Sequence, residues 1–412
     1  MSTTATRYGK AEFLPREQRE GTALCLSGGG YRAALFHLGA LRRLNELGIL
    51  AQVDTLTSVS GGAIFAAQLA THLTRRPDAW PAGRGVVAGW EEGVAQPMRA
   101  FVGRDIRTGP ALRGFHPFRW FDRNAAIEAL AQRYAAGPAP GRLDELPAQP
   151  RFVFCASDMR FREQWVFDSA GRIGSRAAGS FSPSAEWTLA RAVAASSCVP
   201  GPFRAMRVRD SVEDLREGAY KGSDRERLVR TIDLADGGVY DNLGIEPVWR
   251  DHKVVLVSDA APSLSVDPPM RLVWSALRYA VTLLEQATEV RKRWLLANFI
   301  RGDMSGAYWS VSSKPSHFEL DPPAPGYRDE FVERFISQVR IDLDVFSEGE
   351  IGVLENHGYL IAETAIRRHA PELAKETAPL AIPHPEWMDE KRAATALEDS
   401  SRTRFFSRRL RI

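Results

Sequence analysis

The sequence predicts an α/β fold in which a mostly parallel central sheet is sandwiched between helices and followed by a helical C-terminal extension. Short apolar runs alternate with helical patterns over about the first 260 residues, and three of the runs lead directly into glycine-rich turns. Residues 253–258 form a continuous apolar strand, typical of a parallel sheet covered on both faces. We expect a polar N-terminal segment over 1–21, an α/β domain over 22–262 and a helical region over 263–412.

Composition and charge narrow the class of protein. The chain has 412 residues, of which 44% are hydrophobic, so it can bury a sizeable core. The net charge of +3 argues against nucleic acid as the main partner. Residues 1–21 lack the apolar core of a signal peptide, and no run of about eighteen apolar residues predicts a membrane span. We therefore expect a cytoplasmic protein that at most lies on the inner membrane surface.

The three cysteines indicate neither a disulfide framework nor a metal site. Their number is odd, and both Cys25 and Cys155 lie in apolar, strand-like runs, which predicts buried thiols in a reducing compartment. The Cys and His spacings of a zinc site are absent.

The elements of the α/β domain follow in order. The apolar run 22–26 leads into the turn Ser-Gly-Gly-Gly-Tyr-Arg-Ala at 27–33, and the run 53–57 leads into Ser-Val-Ser-Gly-Gly at 58–62; helical patterns follow both turns. Residues 75–120 are predicted to be an insertion, either a packed surface excursion or a cap over the site. The runs 151–157 and 164–168 predict a hairpin.

Later elements complete the pattern. The short strand 231–235 leads into a third glycine turn, which begins Asp236-Gly237-Gly238. Residues 271–300 then predict a long helix with one apolar stripe. Ser347 and Glu350 form a predicted capping box that opens a helix to about His369.

The second turn carries a candidate nucleophile. Ser60 follows a strand and precedes a helix, with Gly61 and Gly62 after it, which is the arrangement of a nucleophile elbow, although Ser58 replaces the usual first glycine. The first turn carries candidate oxyanion donors, because Gly28 to Gly30 let backbone N–H groups point at one spot near a helix N-terminus. Three glycines could equally hold a phosphate, but neither nucleotide-binding glycine pattern is present.

The base that would activate Ser60 could be a histidine or an aspartate. None of the histidines after Ser60 lies in a glycine-rich turn after a strand; His317 and His357 would be the bases of a histidine-dependent esterase. Asp236 ends a predicted strand, and the two glycines after it leave its carboxylate room to reach a neighbouring turn at the carboxyl edge of the sheet. Asp233 and Asp241 are the nearest substitutes.

Together and in this order, the three turns resemble the signatures of the patatin-like phospholipases. Gly28-Gly29-Gly30-Tyr31-Arg32-Ala33 is similar to the family's G-G-G-x-R-G loop and close to the loop of the related cytosolic phospholipases. Residues 58–62 resemble the G-x-S-x-G turn, and residues 236–238 the D-G-[GA] turn. The resemblance covers roughly residues 22–260 and leaves the helical third undescribed.

The resemblance implies a function and a set of site residues. Ser60 would be the nucleophile and Asp236 its base, while Gly28, Gly29 and Gly30 would hold the oxyanion, with Arg32 shaping their loop or meeting a lipid phosphate. Gly62, Gly237 and Gly238 would support the turns. The implied reaction is hydrolysis of a fatty acyl ester of a membrane glycerophospholipid, without metal or cofactor.

Two further hypotheses concern lipid surfaces. The C-terminal tail from Arg402 to Ile412 interleaves five arginines with four apolar residues, which predicts either a peripheral contact with an anionic membrane or a solubilising tail. A catalytically silent module on the same fold, binding lipid or another partner, is the alternative to an enzyme.

Overall fold

The computed structural model describes most of the chain. The described residues are 16, 18–81, 85–114, 122–182, 187–200, 203–208, 215–261, 275–374, 378–402, 404–405 and 408–409, with the backbone alone at 275–281, 404–405 and 408–409. The predicted basic tail therefore lies almost wholly outside the residues whose side chains are described. No helix in the described part of the chain is both long enough and apolar enough to span a bilayer.

A ten-stranded mixed sheet forms the centre of the molecule, which confirms the α/β prediction. Five neighbouring strands are parallel, in the order β10, β9, β1, β2, β3. Their bounds are β1 (Thr22–Leu26), β2 (Thr55–Val59), β3 (Arg151–Asp158), β9 (Val254–Asp259) and β10 (Ser305–Ser310).

Antiparallel strands extend the sheet beyond β3. They are β4 (Glu163–Asp168), β5 (Arg172–Ser175), β6 (Gly179–Phe181), β7 (Met206–Val208) and β8 (Ile232–Asp236). Strands β3 and β4 form the predicted hairpin. Strand β8 also pairs with β3, but only with its last residues, Ala156 to Asp158, whereas β2 pairs with residues 151–155. Because β4 occupies the other edge of β3, strands β2 and β8 pair with the same edge of β3. They approach from opposite directions, so their carboxyl ends meet head-on.

Helices cover both faces of the sheet. Their bounds are α1 (Gly30–Glu46), α2 (Gly61–Arg75), α3 (Gln96–Val102), α4 (Thr108–Gly114), α5 (Ala125–Ala135), α6 (Leu189–Ser196), α7 (Arg225–Val229), α8 (Gly238–Asp241), α9 (Ser275–Arg301), α10 (Asp329–Phe331), α11 (Glu348–His369) and α12 (Glu390–Leu397). Side chains of a strand alternate between faces: Leu24 and Leu26 join the large core with α1, α2 and α11, while Ala23 and Cys25 pack in a smaller cluster with Leu295 of α9.

The C-terminal third packs on the α/β core. Strand β10 adds a parallel strand beside β9, and α11 packs along α1. A Cβ at Gly39 or Gly358 would lie within about 2 Å of a backbone oxygen of the opposite helix, so the two helices approach at glycines. The capping box of Ser347 and Glu350 forms as predicted. The described residues of the 75–120 insertion pack beside α2 and α11.

Candidate active site

A cleft of about 320 Å³ opens where the parallel strands β1, β2 and β9 reach their carboxyl ends. The glycines of the first turn, Ser60 and Asp236 all line it, so the three turns singled out in the sequence meet in one place. Apolar residues from other parts of the chain complete the walls; these include Val199, Leu284 and Ile341.

Ser60 lies on a strained turn between β2 and α2. Its φ of 49° and ψ of −114° are a conformation that L residues rarely adopt, and this geometry is the one expected of a nucleophile elbow. The Ser60 N–H donates a hydrogen bond to Ser196 Oγ at 2.9 Å, and Ser196 Oγ in turn donates to the Cys155 carbonyl at 2.7 Å. The end of α6 thereby supports the strained turn.

The glycine after Ser60 makes a close approach possible. A Cβ on Gly61 would lie 2.1 Å from the Gly30 carbonyl oxygen, which no side chain could tolerate. A Cβ on Gly62 would meet the Leu26 carbonyl at 2.5 Å. The two turns therefore pack backbone against backbone, and this contact fixes Ser60 beside the first glycine turn.

Asp236 ends β8 opposite Ser60. Since β2 and β8 end head-on along one edge of β3, the residue after β2 and the last residue of β8 meet at the level of Ala156. Asp236 Oδ1 accepts a hydrogen bond from the Gly238 N–H at 2.8 Å. Its other oxygen, Oδ2, is buried and has no hydrogen-bond partner among the described residues.

Burial dominates the electrostatics of Asp236. The side chain is 6% exposed, and desolvation raises its pKa from 3.8 to about 6, while the Gly238 N–H and the neighbouring Ser60 hydroxyl lower that pKa in part. Asp236 is therefore ionised at neutral pH and remains basic enough to accept a proton.

The first glycine turn offers two unoccupied backbone donors. Gly28 was expected to be an oxyanion donor with Gly29 and Gly30, but its N–H donates to the Asn242 carbonyl at 3.2 Å and is therefore engaged. The Tyr31 N–H donates to the Asp342 carbonyl at 2.9 Å. The N–H groups of Gly29 and Gly30, between them, have no acceptor in the part of the chain that the structure describes. These two groups lie at the N-terminus of α1, where partial positive charge favours an anion.

Arg32 supports this turn from behind. It is 2% exposed, and its guanidinium donates to the carbonyls of Ala260 at 2.6 Å and Val339 at 2.8 Å. A Cβ on Gly29 would lie 2.6 Å from the same Ala260 carbonyl, so Arg32 holds the segment on which the glycine turn rests. Of the two roles expected for Arg32, its position fits support of the loop and not contact with a lipid phosphate.

The described histidines are not hydrogen-bonded to Ser60 or Asp236. His357 is buried in α11, where Nε2 bonds the Val311 carbonyl at 3.0 Å and burial lowers its pKa to about 4. His37 lies below the glycine turn between Ser27 and Ser258, and burial likewise lowers its pKa to about 4. His317 is exposed, and His116 lies outside the described residues.

A match to a family model identifies the family. The model of the patatin-like phospholipases, described as "Patatin-like phospholipase", matches residues 24–249, more than half of the chain. The chain belongs to the patatin-like phospholipase family. The matched range contains all three glycine turns of the cleft, and a lipid acyl hydrolase is the activity supported at the level of this family.

Solved structures of other proteins show partial likeness to this patatin-like chain. Human GIVD cytosolic phospholipase A2 is 15% identical with a TM-score of 0.38, covering 64% of this chain and 45% of that one. The same human enzyme in complex with methyl gamma-linolenyl fluorophosphonate inhibitor and terbium chloride is 14% identical, with a TM-score of 0.45. The match covers 93% of this chain and 61% of that one.

VipD from Legionella pneumophila is 13% identical with a TM-score of 0.38, and the match covers 86% of this chain and 68% of that one. No curated protein matches the chain. Membership of the patatin-like family depends on the family model and not on these structures.

Several cleft residues were not predicted from the sequence. Asp259 ends β9, where its Oδ2 accepts a hydrogen bond from Tyr308 at 2.6 Å; its place directly after an apolar strand was the signal that could have found it. Asn242 Oδ1 lies 2.4 Å from the position that a Cβ on Gly28 would take. The wall residues of α9 and Ile341 carry no local signal, because only tertiary packing brings them to the cleft.

No described residues form a cluster of three or more His, Cys, Asp or Glu side chains that could hold a metal ion.

Proposed function

We propose that the chain hydrolyses fatty acyl esters of membrane glycerophospholipids through a Ser60–Asp236 dyad. The observation that carries the proposal is the head-on meeting of β2 and β8, which brings a serine on a strained turn to a buried carboxylate with an unpartnered oxygen. The two unoccupied N–H groups of Gly29 and Gly30 in the same cleft support it further. Family membership favours a lipid ester as the substrate.

The first half-reaction forms an acyl-enzyme. Asp236 accepts the Ser60 hydroxyl proton while Oγ attacks the ester carbonyl carbon, and the carbonyl oxygen becomes an oxyanion held by the N–H groups of Gly29 and Gly30. When the tetrahedral intermediate collapses, the carbon–oxygen bond to the lysolipid breaks. Asp236 returns its proton to the departing alkoxide, which leaves as an alcohol.

The second half-reaction regenerates the enzyme. Asp236 accepts a proton from water while the water oxygen attacks the carbonyl carbon of the acyl group bound to Ser60 Oγ. Collapse of the second intermediate breaks the bond to Oγ, which takes the proton back from Asp236, and a free fatty acid is released. A pKa of about 6 suits a base that must be ionised at neutral pH and still bind a proton in the transition state.

The apolar residues of the cleft suit an acyl chain. Val199, Leu284 and Ile341 form walls near Ser60, where they would bury the methylene groups next to the scissile ester. Each buried methylene stabilises the complex by about 0.8 kcal/mol, so long acyl chains should bind better than short ones until the cleft is filled.

Fatty-acid release from defined phospholipid vesicles tests the dyad. We expect Ser60→Ala to lose activity by at least about 10³-fold and Asp236→Asn by about 10⁴-fold, whereas the control Asp233→Asn, on the same strand but paired with Arg207, stays active. A fluorophosphonate probe should label the native chain and not Ser60→Ala. Activity retained in either dyad variant would exclude this mechanism.

Other outcomes would support the alternatives. Loss of activity in His357→Gln or His317→Gln, with Asp236→Asn active, would indicate a histidine-dependent esterase. Vesicle binding without fluorophosphonate labelling would indicate a catalytically silent module.

A cytoplasmic location with peripheral membrane contact through residues 402–412 is part of the proposal. Five arginines favour an anionic bilayer surface. If deletion of residues 402–412 leaves binding to anionic liposomes unchanged at low and high salt, the tail has no such role.

A further inference from the structure

The residues at the end of α6 hold both turns of the proposed dyad. The hydroxyl of Ser196, the last residue of this helix, accepts a hydrogen bond from the Ser60 N–H at 2.9 Å. The carbonyl of the same residue accepts one from the Gly237 N–H at 3.1 Å, and the Cys198 carbonyl accepts one from the Asp236 N–H at 3.3 Å. One short segment of the chain is therefore bonded to the backbone of the nucleophile turn and to that of the base turn.

The two turns depend on this segment to different degrees. The base turn has a further bond, because Ser157 Oγ on β3 donates to the Asp236 carbonyl at 2.7 Å. The Ser60 N–H, in contrast, has Ser196 Oγ as its one acceptor among the described residues. Ser196 Oγ also donates its own proton to the Cys155 carbonyl of β3 at 2.7 Å, which fixes the direction of the hydroxyl. This single hydroxyl thus ties the Ser60 backbone to the sheet.

The strained backbone of Ser60 needs such a tie. Its φ of 49° and ψ of −114° persist only where the surrounding structure imposes them. Ser196 is fully buried, so bulk water does not reach the site to replace its hydroxyl. Without that hydroxyl the buried Ser60 N–H loses its acceptor, and a turn that relaxes to satisfy it carries Ser60 Oγ away from the Asp236 carboxylate.

We propose that Ser196 is a positioning residue that holds Ser60 Oγ where Asp236 can accept its proton. The inference rests on the proposed function, because this distance matters only if Asp236 is the base. Ser196 is not among the described residues that line the cleft, so its hydroxyl acts through the Ser60 backbone and not through the substrate. A misplacement of about 1 Å between reacting groups costs about 10²-fold in rate.

The kinetics of Ser196→Ala on a water-soluble short-chain ester test this role. We expect kcat to fall about 10²-fold while KM stays within about twofold of the native value, because the reacting atoms move and the cleft walls do not. Labelling of Ser60 by a fluorophosphonate should slow by a similar factor, since it needs the same attack by Oγ. Ser196→Cys, whose thiol forms only weak hydrogen bonds, should give an intermediate kcat and serves as the test if Ser196→Ala does not fold.

Ser197→Ala is the matched control. Ser197 is also buried, and its hydroxyl donates to the Val193 carbonyl at 2.7 Å and lies 2.9 Å from the Tyr134 hydroxyl, neither of which belongs to a catalytic turn. Both alanine variants lose a buried, bonded hydroxyl and should unfold at similarly lowered temperatures. Because Ser197→Ala should keep the native kcat, a loss of kcat confined to the Ser196 variants cannot result from lower stability.

The outcomes separate this proposal from the proposed function. If the native chain hydrolyses the ester no faster than Ser60→Ala, the proposed function fails and the positioning role fails with it. If the native chain is active and Ser196→Ala loses no more kcat than Ser197→Ala, the positioning role alone is overturned. A raised KM with unchanged kcat also overturns it, because that result would assign Ser196 to substrate binding. If only Ser196→Cys folds, a native kcat in that variant overturns the role in the same way.

Discussion

Replacement of Asp236 by asparagine should abolish activity and stabilise the folded chain at alkaline pH. The carboxylate is 6% exposed, and its pKa is raised from 3.8 to about 6 because burial penalises its charge. Between pH 4 and 6 the folded chain keeps a proton that the unfolded chain has released, so the free energy of unfolding falls as the pH rises through this range. Above pH 6, where the buried Asp236 is ionised, the free energy of unfolding is lower by the full amount of about 3 kcal/mol.

Asparagine has no charge to bury, so this cost disappears. At pH 8 we expect Asp236→Asn to unfold about 3 °C above the native chain, because a chain of this length has a large entropy of unfolding. At pH 4 the two melting temperatures should converge, since Asp236 is then protonated in the folded chain. Thermal unfolding followed by calorimetry or circular dichroism at both pH values measures the difference.

Activity and stability should thus move in opposite directions at this one residue. The kcat/KM of the native chain should fall about tenfold per pH unit below pH 6 and be level above it, because only ionised Asp236 accepts the serine proton. The control Asp233→Asn loses an ion pair with Arg207 and should gain no stability at pH 8. An Asp236→Asn chain that is less stable than the native chain by the same amount at both pH values would refute the reasoning.

Three further substitutions test the surroundings of the site. Gly28→Ala should reduce kcat by at least about tenfold, because the added Cβ would lie 2.4 Å from Asn242 Oδ1. The control Gly103→Ala should leave kcat unchanged, because no neighbouring atom lies nearer than 3.7 Å to its Cβ position. Arg32→Lys should lower the free energy of unfolding by about 2 to 4 kcal/mol in urea, since lysine cannot reproduce the buried fork. His357→Gln should lose stability but keep its kcat and pH profile, because His357 is bonded to a backbone carbonyl.

Each of these expectations has a result that contradicts it. Equal activity of Gly28→Ala and Gly103→Ala would mean that the glycine turn does not need its close approach. An Arg32→Lys chain as stable as the native one would remove the support role of Arg32. A kcat that falls with His357→Gln in fully folded protein would favour the histidine-dependent esterase.

The sequence by itself determined which candidate groups lie on the three glycine turns. Three glycine turns, each after an apolar run, predicted Ser60 on an elbow and a carboxylate at Asp236, because strand-to-turn transitions depend on residues close together in the chain. They also predicted donors at Gly28 to Gly30, of which Gly28 is engaged with Asn242. The α/β class was predicted in the same way, and the capping box at Ser347 fixed the start of α11.

Tertiary structure decided how those parts meet. The direction of β8 is not encoded in its own residues. It runs opposite to β2 because it pairs antiparallel with the end of β3, and this pairing brings Asp236 to face Ser60. It likewise decided which N–H groups of the first turn are unoccupied, because the carbonyls that engage Gly28 and Tyr31 belong to Asn242 and Asp342, more than two hundred residues away. Short-range patterns specify the groups, whereas contacts between distant segments specify their partners.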